Sequence, residues 1–136
     1  MRIRIRCKDA EIQTNALLNS GFEAETPQLL IPRSLAVKLG LWPPPPEAQL
    51  VEVGTAGGPV RNYLIPSAAD VLLDAGDRVV GPVKCDVMIS SLEYEVLVSD
   101  ALISAFNIVM LDVKWGKWRL SDEEKVRHTE VTQYWF

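Results

Sequence analysis

The chain begins with a regular alternation of apolar and basic side chains. From Met1 to Cys7, methionine, isoleucine and cysteine alternate with arginine. A period of two is the spacing of side chains on one face of a strand, so this segment predicts a strand with one apolar and one basic face. A second strand is predicted from Ala10 to Leu18. It ends at a turn of small residues, Asn19-Ser20-Gly21, of which asparagine and glycine are common in turns.

Most of the remaining chain predicts short strands separated by glycine and proline. The predicted strands are Leu29 to Ile31, Ala48 to Val53, Val60 to Ile65, Val71 to Leu73, Val79 to Val80, Val83 to Ile89, Glu93 to Val98, Ile108 to Val113 and Lys117 to Leu120. The second and third of these form a hairpin with a glycine-rich tip, Gly54-Thr55-Ala56-Gly57-Gly58. Many short strands at regular spacing are typical of a closed β-barrel.

Two short helices interrupt the strands. Pro32 suits the first turn of a helix from Arg33 to Leu39, and Gly40 is a natural end for it. Either Ser99 or Asp100 can cap a second short helix that follows them. The predicted fold class is therefore all-β in the broad sense: mainly β, with two short helices.

Two further segments suggest surface features. Pro43 to Pro46 favour an extended conformation, which we interpret as a stiff connector, with a ligand for a proline-binding groove as the alternative. The tail from about residue 121 starts charged and ends in β-prone, aromatic residues, 131–136. Such an end favours docking, with a partner subunit as one candidate surface.

Length, charge and hydropathy exclude several classes of protein. At 136 residues the chain has the size of one domain. A net charge of -4 argues against a nucleic-acid binder that works by phosphate neutralisation. No apolar run is long enough to span a bilayer, and the N-terminal residues lack an apolar signal core. We therefore expect a cytoplasmic protein with neither a nucleic-acid nor a membrane partner.

The residues that most often carry metal or nucleophilic chemistry are sparse. Cys7 and Cys85 have no CxxC spacing, so we expect two free, buried thiols. The single histidine, His128, lies in the charged tail and provides no convincing base for a serine or cysteine nucleophile. We expect no metal and no other cofactor.

The segment from Leu17 to Gly21 resembles the active-site loop of the retropepsin-like aspartic proteases, in which two apolar residues precede Asp-Ser/Thr-Gly. Four later segments are similar, in order, to further elements of bacterial and archaeal members of that family. They are Leu29 to Gly40 (apolar-Pro-helix), Gly54 to Val60 (flap), Val96 to Leu102 (apolar-Gly-Arg/Asp-Asp-x-Leu, with Ser99 for the usual glycine) and Ile108 to Leu120 (closing hairpin). The resemblance covers roughly residues 10 to 120. It implies a retropepsin-like acid-protease closed β-barrel, active as a homodimer on a peptide or protein substrate.

The resemblance also implies a site, with one substitution. It puts Asn19 in the position of the catalytic aspartate and Ser20 and Gly21 in support, with the flap residues Gly54, Thr55, Ala56, Gly57 and Gly58 closing over the substrate. In the family, two aspartates share one proton, so that one activates water while the other polarises the scissile carbonyl. An asparagine amide can donate and accept hydrogen bonds but cannot act as a base. Asp9 and Glu23 flank the loop without occupying the turn.

Three functional hypotheses follow. The first, which we favour, is an aspartic endopeptidase of the retropepsin-like class that an introduced asparagine at position 19 silences. The second is a non-catalytic peptide-binding or dimerisation module of the same fold. The third is an unrelated small β-barrel adaptor that uses Pro43 to Pro46 or the aromatic tail and needs no dimer.

Overall fold

A computed structural model of the chain describes residues 1–136. Strands hold 51% of the residues and helices 9%, so the chain is mainly β, as predicted. The elements are β1 (Arg2–Cys7), β2 (Ala10–Leu18), β3 (Gln28–Pro32), α1 (Arg33–Lys38), β4 (Gln49–Thr55), β5 (Gly58–Asp74), β6 (Val79–Ser90), β7 (Val96–Val98), α2 (Asp100–Ala105), β8 (Ile108–Asp112), β9 (Lys117–Leu120) and β10 (Arg127–His128).

Six of the strands close into a barrel. The large sheet has the order β1-β2-β7-β3-β6-β5-β4, and β1 also pairs with β5. Strand β1 closes the ring because both of its edges are paired: Arg2 to Cys7 lie antiparallel to β2, and Ile3 to Arg6 lie antiparallel to β5. The predicted closed β-barrel is therefore confirmed. Strand β4 lies outside the ring and pairs only with β5.

Alternation along β1 places its apolar residues in the core. Ile3 and Ile5 are completely buried, while the arginines between them lie on the outer face. One continuous cluster of 27 buried residues fills the barrel and the space under the two helices. Cys7 and Cys85 belong to this cluster as free thiols, as predicted.

The two longest strands differ from the prediction. Val60 to Ile65 and Val71 to Leu73 belong to one strand, β5, which continues through a register shift between Ile65 and Ala69. Strand β6 likewise joins Val79–Val80 to Val83–Ile89 across Gly81-Pro82. Proline interrupts the local pattern, but a bulge lets the pairing of the two strands resume beyond it.

Other boundaries agree more closely. Ser99 is the N-cap of α2 and accepts a hydrogen bond from the Leu102 N–H, as predicted for one of two candidate caps. Pro32 lies at the N-cap of α1 and so directly precedes the first helical turn, and Gly40 follows that helix with a positive φ of 75°. Strand β7 is shorter than predicted and begins only at Val96.

The C-terminal tail docks on the outer edge of β2. Strand β7 covers only the last three residues of β2, Ala16 to Leu18. Before them, the Asn15 N–H donates to Oε1 of Gln133 at 2.9 Å, and the Trp135 indole N–H donates to Oγ1 of Thr14 at 2.9 Å. Docking of the aromatic tail was predicted, but residues 131–136 form no strand. The tail thus satisfies the backbone N–H of Asn15, which β7 leaves unpaired.

No helix of the structure combines the length and the apolar character needed to cross a membrane.

Gly81 lies in β6 against the backbone of β5. Its φ is +109°, and a Cβ placed on it would lie 2.8 Å from the carbonyl oxygen of Val71. We expect Gly81→Ala to lower the free energy of unfolding by about 1–3 kcal/mol, because the residue would be strained and would displace backbone. Chemical denaturation measures the loss. The matched control is Gly54→Ala, where a Cβ meets nothing within 4 Å. Equal losses in the two variants would contradict this account.

Asp74 links β1 to β5 electrostatically. Its carboxylate accepts the Gly76 N–H at 2.9 Å and the Arg4 guanidinium at 2.8 Å, with Arg2 at 3.5 Å. The Gly76 hydrogen bond, followed by the two arginines, holds the pKa of Asp74 below its ordinary value. A lowered folded-state pKa means that this stabilisation is present above the unfolded-state pKa of about 3.9 and is lost as the pH falls through the folded-state value.

We therefore expect Asp74→Asn to be less stable than the parent chain at neutral pH, with the difference shrinking as the pH falls below about 4. Urea denaturation at a series of pH values measures the difference. Asp9→Asn is the control, because Asp9 is exposed and forms no ion pair. A difference that stays constant from pH 7 to about pH 2 would show that Asp74 does not contribute through its charge.

Candidate active site

The turn Asn19-Ser20-Gly21 follows directly from the buried end of β2. The backbone N–H of Asn19 donates to the carbonyl oxygen of Val98 in β7 at 3.2 Å, which extends the parallel pairing by one residue. The side-chain Oδ1 of Asn19 accepts the Gly21 N–H at 3.1 Å, and its backbone carbonyl accepts the Phe22 N–H at 3.0 Å. These bonds fix the Asn19 side chain against the turn.

The N-terminus of α2 holds this turn from the other side. The Asp100 N–H donates to the carbonyl oxygen of Phe22 at 2.9 Å, and the Asp100 carboxylate accepts the Ala24 N–H at 2.9 Å. Buried Ser99 accepts the Gln28 N–H at 3.0 Å as well as capping the helix. Ser99, which stands where the resemblance has a glycine, therefore joins α2 to the start of β3.

The β4–β5 hairpin extends beyond the barrel. Its register runs from Gln49 opposite Leu64 to Thr55 opposite Gly58, which leaves only Ala56 and Gly57 in the turn. The predicted glycine-rich tip is therefore shorter than expected, because Gly54, Thr55 and Gly58 are paired in the strands. Thr55 donates its hydroxyl to the Gly58 carbonyl at 2.6 Å, and the φ of +109° at Gly58 permits this tight turn.

One cleft of about 750 Å³ lies between the turn and the hairpin. It brings Asn19 and Gly21 together with Gly54, Thr55 and Ala56 of the hairpin. The remaining predicted site residues, Ser20, Gly57 and Gly58, do not line it. Five of the eight predicted site residues thus share one cavity, although the turn and the hairpin are far apart in sequence.

The floor of the cleft is apolar, and one of its walls is an open strand edge. Leu30, Leu64, Met88 and Leu97 form the floor, and Val51 and Val53 of β4 line the wall. Strand β4 is the last strand of the sheet, so its outer edge has no partner strand. An unpaired edge beside an apolar groove can bind an extended peptide through backbone hydrogen bonds.

Sequence reasoning missed two carboxylates in this cleft. Glu23, which was considered only as a flanking residue, lines the cleft together with Glu52 and Glu93. Glu52 belongs to the predicted hairpin strand Ala48 to Val53, but no local pattern indicates that Glu93 lines the same cleft. The Asn19 side chain is bonded to Gly21 rather than to any of these carboxylates.

Other candidate groups lie outside the cleft. Burial raises the pKa of the Cys85 thiol to about 12 and also raises that of Cys7, so neither is a ready nucleophile. His128 lies in β10 on the small sheet and does not line the cleft. No group of three or more His, Cys, Asp or Glu side chains is placed to hold a metal ion.

No protein-family model matches the chain, and no curated protein matches it.

Proposed function

We propose that this chain is one subunit of a homodimeric aspartic-type endopeptidase of the retropepsin-like class, inactive in this form because residue 19 is asparagine. The observation that carries the proposal is the shared cleft: the Asn19 turn and the tip of the β4–β5 hairpin lie on the same cavity. The closed six-stranded barrel is compatible with the acid-protease fold. The hairpin and the Asn19 turn line the same cleft, which supports the proposed role of the hairpin as a flap.

A dimer is part of the proposal because one chain supplies only one catalytic turn. A pair of carboxyls sharing a proton needs two such turns, which a two-fold axis brings together. Leu17, two residues before Asn19, is 49% exposed, and Val113, which lines the same small pocket as Leu17, is 78% exposed. Ser20 is also exposed at the turn. The exposed apolar side chains of Leu17 and Val113 near the turn support contact with a second copy of the chain.

The second candidate is a non-catalytic peptide-binding module of the same fold. It is favoured by the hydrogen bond from the Gly21 N–H to Oδ1 of Asn19, which gives the amide a structural use that needs no proton transfer. The open edge of β4 and the apolar floor would bind peptide in this case as well.

Hydrolysis of a diverse peptide mixture by the chain and by its Asn19→Asp variant separates the two candidates. Cleavage by the variant alone supports a silenced protease. Cleavage by neither, with both chains dimeric by sedimentation, favours the binding module. A monomeric mass for both would instead favour an adaptor that does not depend on a two-fold site.

A further inference from the structure

The cleft beside Asn19 has a one-sided charge. Its lining contains three carboxylates, Glu23, Glu52 and Glu93, and no lysine, arginine or histidine. All three side chains are exposed, so their charges are available to an occupant. The remaining lining residues are apolar or uncharged, which makes the cleft an apolar groove with an acidic rim.

These three carboxylates form no ion pair within the chain. The structure contains nine ion pairs, and none involves Glu23, Glu52 or Glu93. Arg61 lies opposite Glu52 in the β4–β5 register but outside the cleft lining. Elsewhere the acidic side chains of Asp74 and Asp77 are each shared by two cations. The three carboxylates of the rim therefore have no countercharge from the other residues that line the cleft.

An occupant must match both parts of the groove. The floor of leucine and methionine side chains suits apolar side chains, and the open edge of β4 suits an extended backbone. The rim suits positive charge, because like charges would repel and neutral groups would leave the carboxylates unpaired. An extended peptide with apolar residues flanked by lysine or arginine meets all three requirements.

We propose that the cleft selects extended peptide segments in which lysine or arginine residues flank an apolar core. The selection rests on the proposed function, since it requires the cleft to bind peptide. Glu23, Glu52 and Glu93 act as specificity-determining residues at the rim. In the proposed dimer, the second copy brings the same three carboxylates to the same two-fold site, which strengthens the preference.

The test uses three labelled peptides with one apolar core, flanked by lysine, glutamine or glutamate. Fluorescence anisotropy measures their binding to the Asn19 chain, so hydrolysis does not interfere. We expect the lysine peptide to bind about tenfold more tightly than the glutamine peptide at low salt, since several exposed ion pairs each contribute modestly. The glutamate peptide should bind most weakly. The preference should shrink as salt is raised to about 1 M, where screening is nearly complete.

Matched variants locate the effect. The triple variant Glu23→Gln, Glu52→Gln and Glu93→Gln changes the net charge from -4 to -1. The control variant Glu25→Gln, Glu47→Gln and Glu124→Gln makes the same change in net charge at exposed residues outside the cleft. Only the first variant should lose the preference for the lysine peptide.

Each result has a separate meaning. Equal binding of the lysine and glutamine peptides overturns the charge selection while leaving the peptide-binding cleft in place. Equal loss of preference in both triple variants also overturns it, because the attraction would then come from overall charge. Failure of every peptide to bind overturns the peptide cleft itself, and the selection with it.

Discussion

Under the proposed function, replacing Asn19 by aspartate is expected to create peptide-hydrolysing activity that the parent chain lacks. A general base typically contributes about 10²–10⁴-fold to the rate. In a symmetric dimer the one substitution introduces both carboxyls at once, so we expect the rate of peptide hydrolysis to rise by a factor at or above the upper end of this range. The turn needs no rearrangement, because an aspartate Oδ1 can accept the Gly21 N–H as the amide oxygen does at 3.1 Å.

The pH dependence of this gained activity follows from the shared proton. Two close carboxyls cannot both ionise easily, so the pair is active while it holds one proton. We expect a bell-shaped profile, with activity lost at low pH when both carboxyls are protonated and at high pH when neither is. A pH scan of kcat/KM for the Asn19→Asp variant measures both limits.

The matched control is Asn19→Ala, which changes the same side chain without supplying a carboxyl. It should remain as inactive as the parent chain, and sedimentation should show the same mass for all three proteins. An Asn19→Asp protein that is folded and dimeric but cleaves no faster than Asn19→Ala would contradict the protease proposal. Peptide binding by that variant would then leave the binding module as the better account.

Replacing Phe106 by alanine is expected to give the largest loss of stability among single substitutions considered for this chain. Phe106 is completely buried at the C-cap of α2, the helix that packs against β3, β6 and β8. Truncation of a buried phenylalanine typically costs about 3–5 kcal/mol, since it removes apolar contacts and leaves a cavity. A domain with about 5–15 kcal/mol of total stability would lose a large part of it.

Phe136→Ala is the matched control, because it is the same chemical change at a side chain that is 88% exposed. We expect it to cost less than about 1 kcal/mol. Thermal and chemical denaturation of both variants measure the difference. Similar stabilities for the two would show that α2 does not anchor the core. A strongly destabilised Phe106 variant should also bind peptide weakly, since α2 holds the Asn19 turn through Asp100.

The local features of this fold could be predicted from the sequence. The two-residue period of β1 and the end of β2 at Leu18 were both predicted and are observed. The N-cap of α2 at Ser99, one of two predicted candidates, and the end of α1 before Gly40 also agree with the sequence-based prediction. Each depends on interactions between residues a few positions apart, so a short window of sequence contains the information. The closed barrel also followed from the number and spacing of the strands.

Tertiary structure decided what depends on residues far apart in the chain. Strand β5 continues past Pro66 because β6 pairs with it on both sides of the register shift. Strand β1 closes the barrel because it pairs with both β2 and β5. Glu52 and Glu93 line one cleft with Asn19, although the three residues belong to segments far apart in the sequence. No local pattern contains these relations, since each is set by how distant strands pack together.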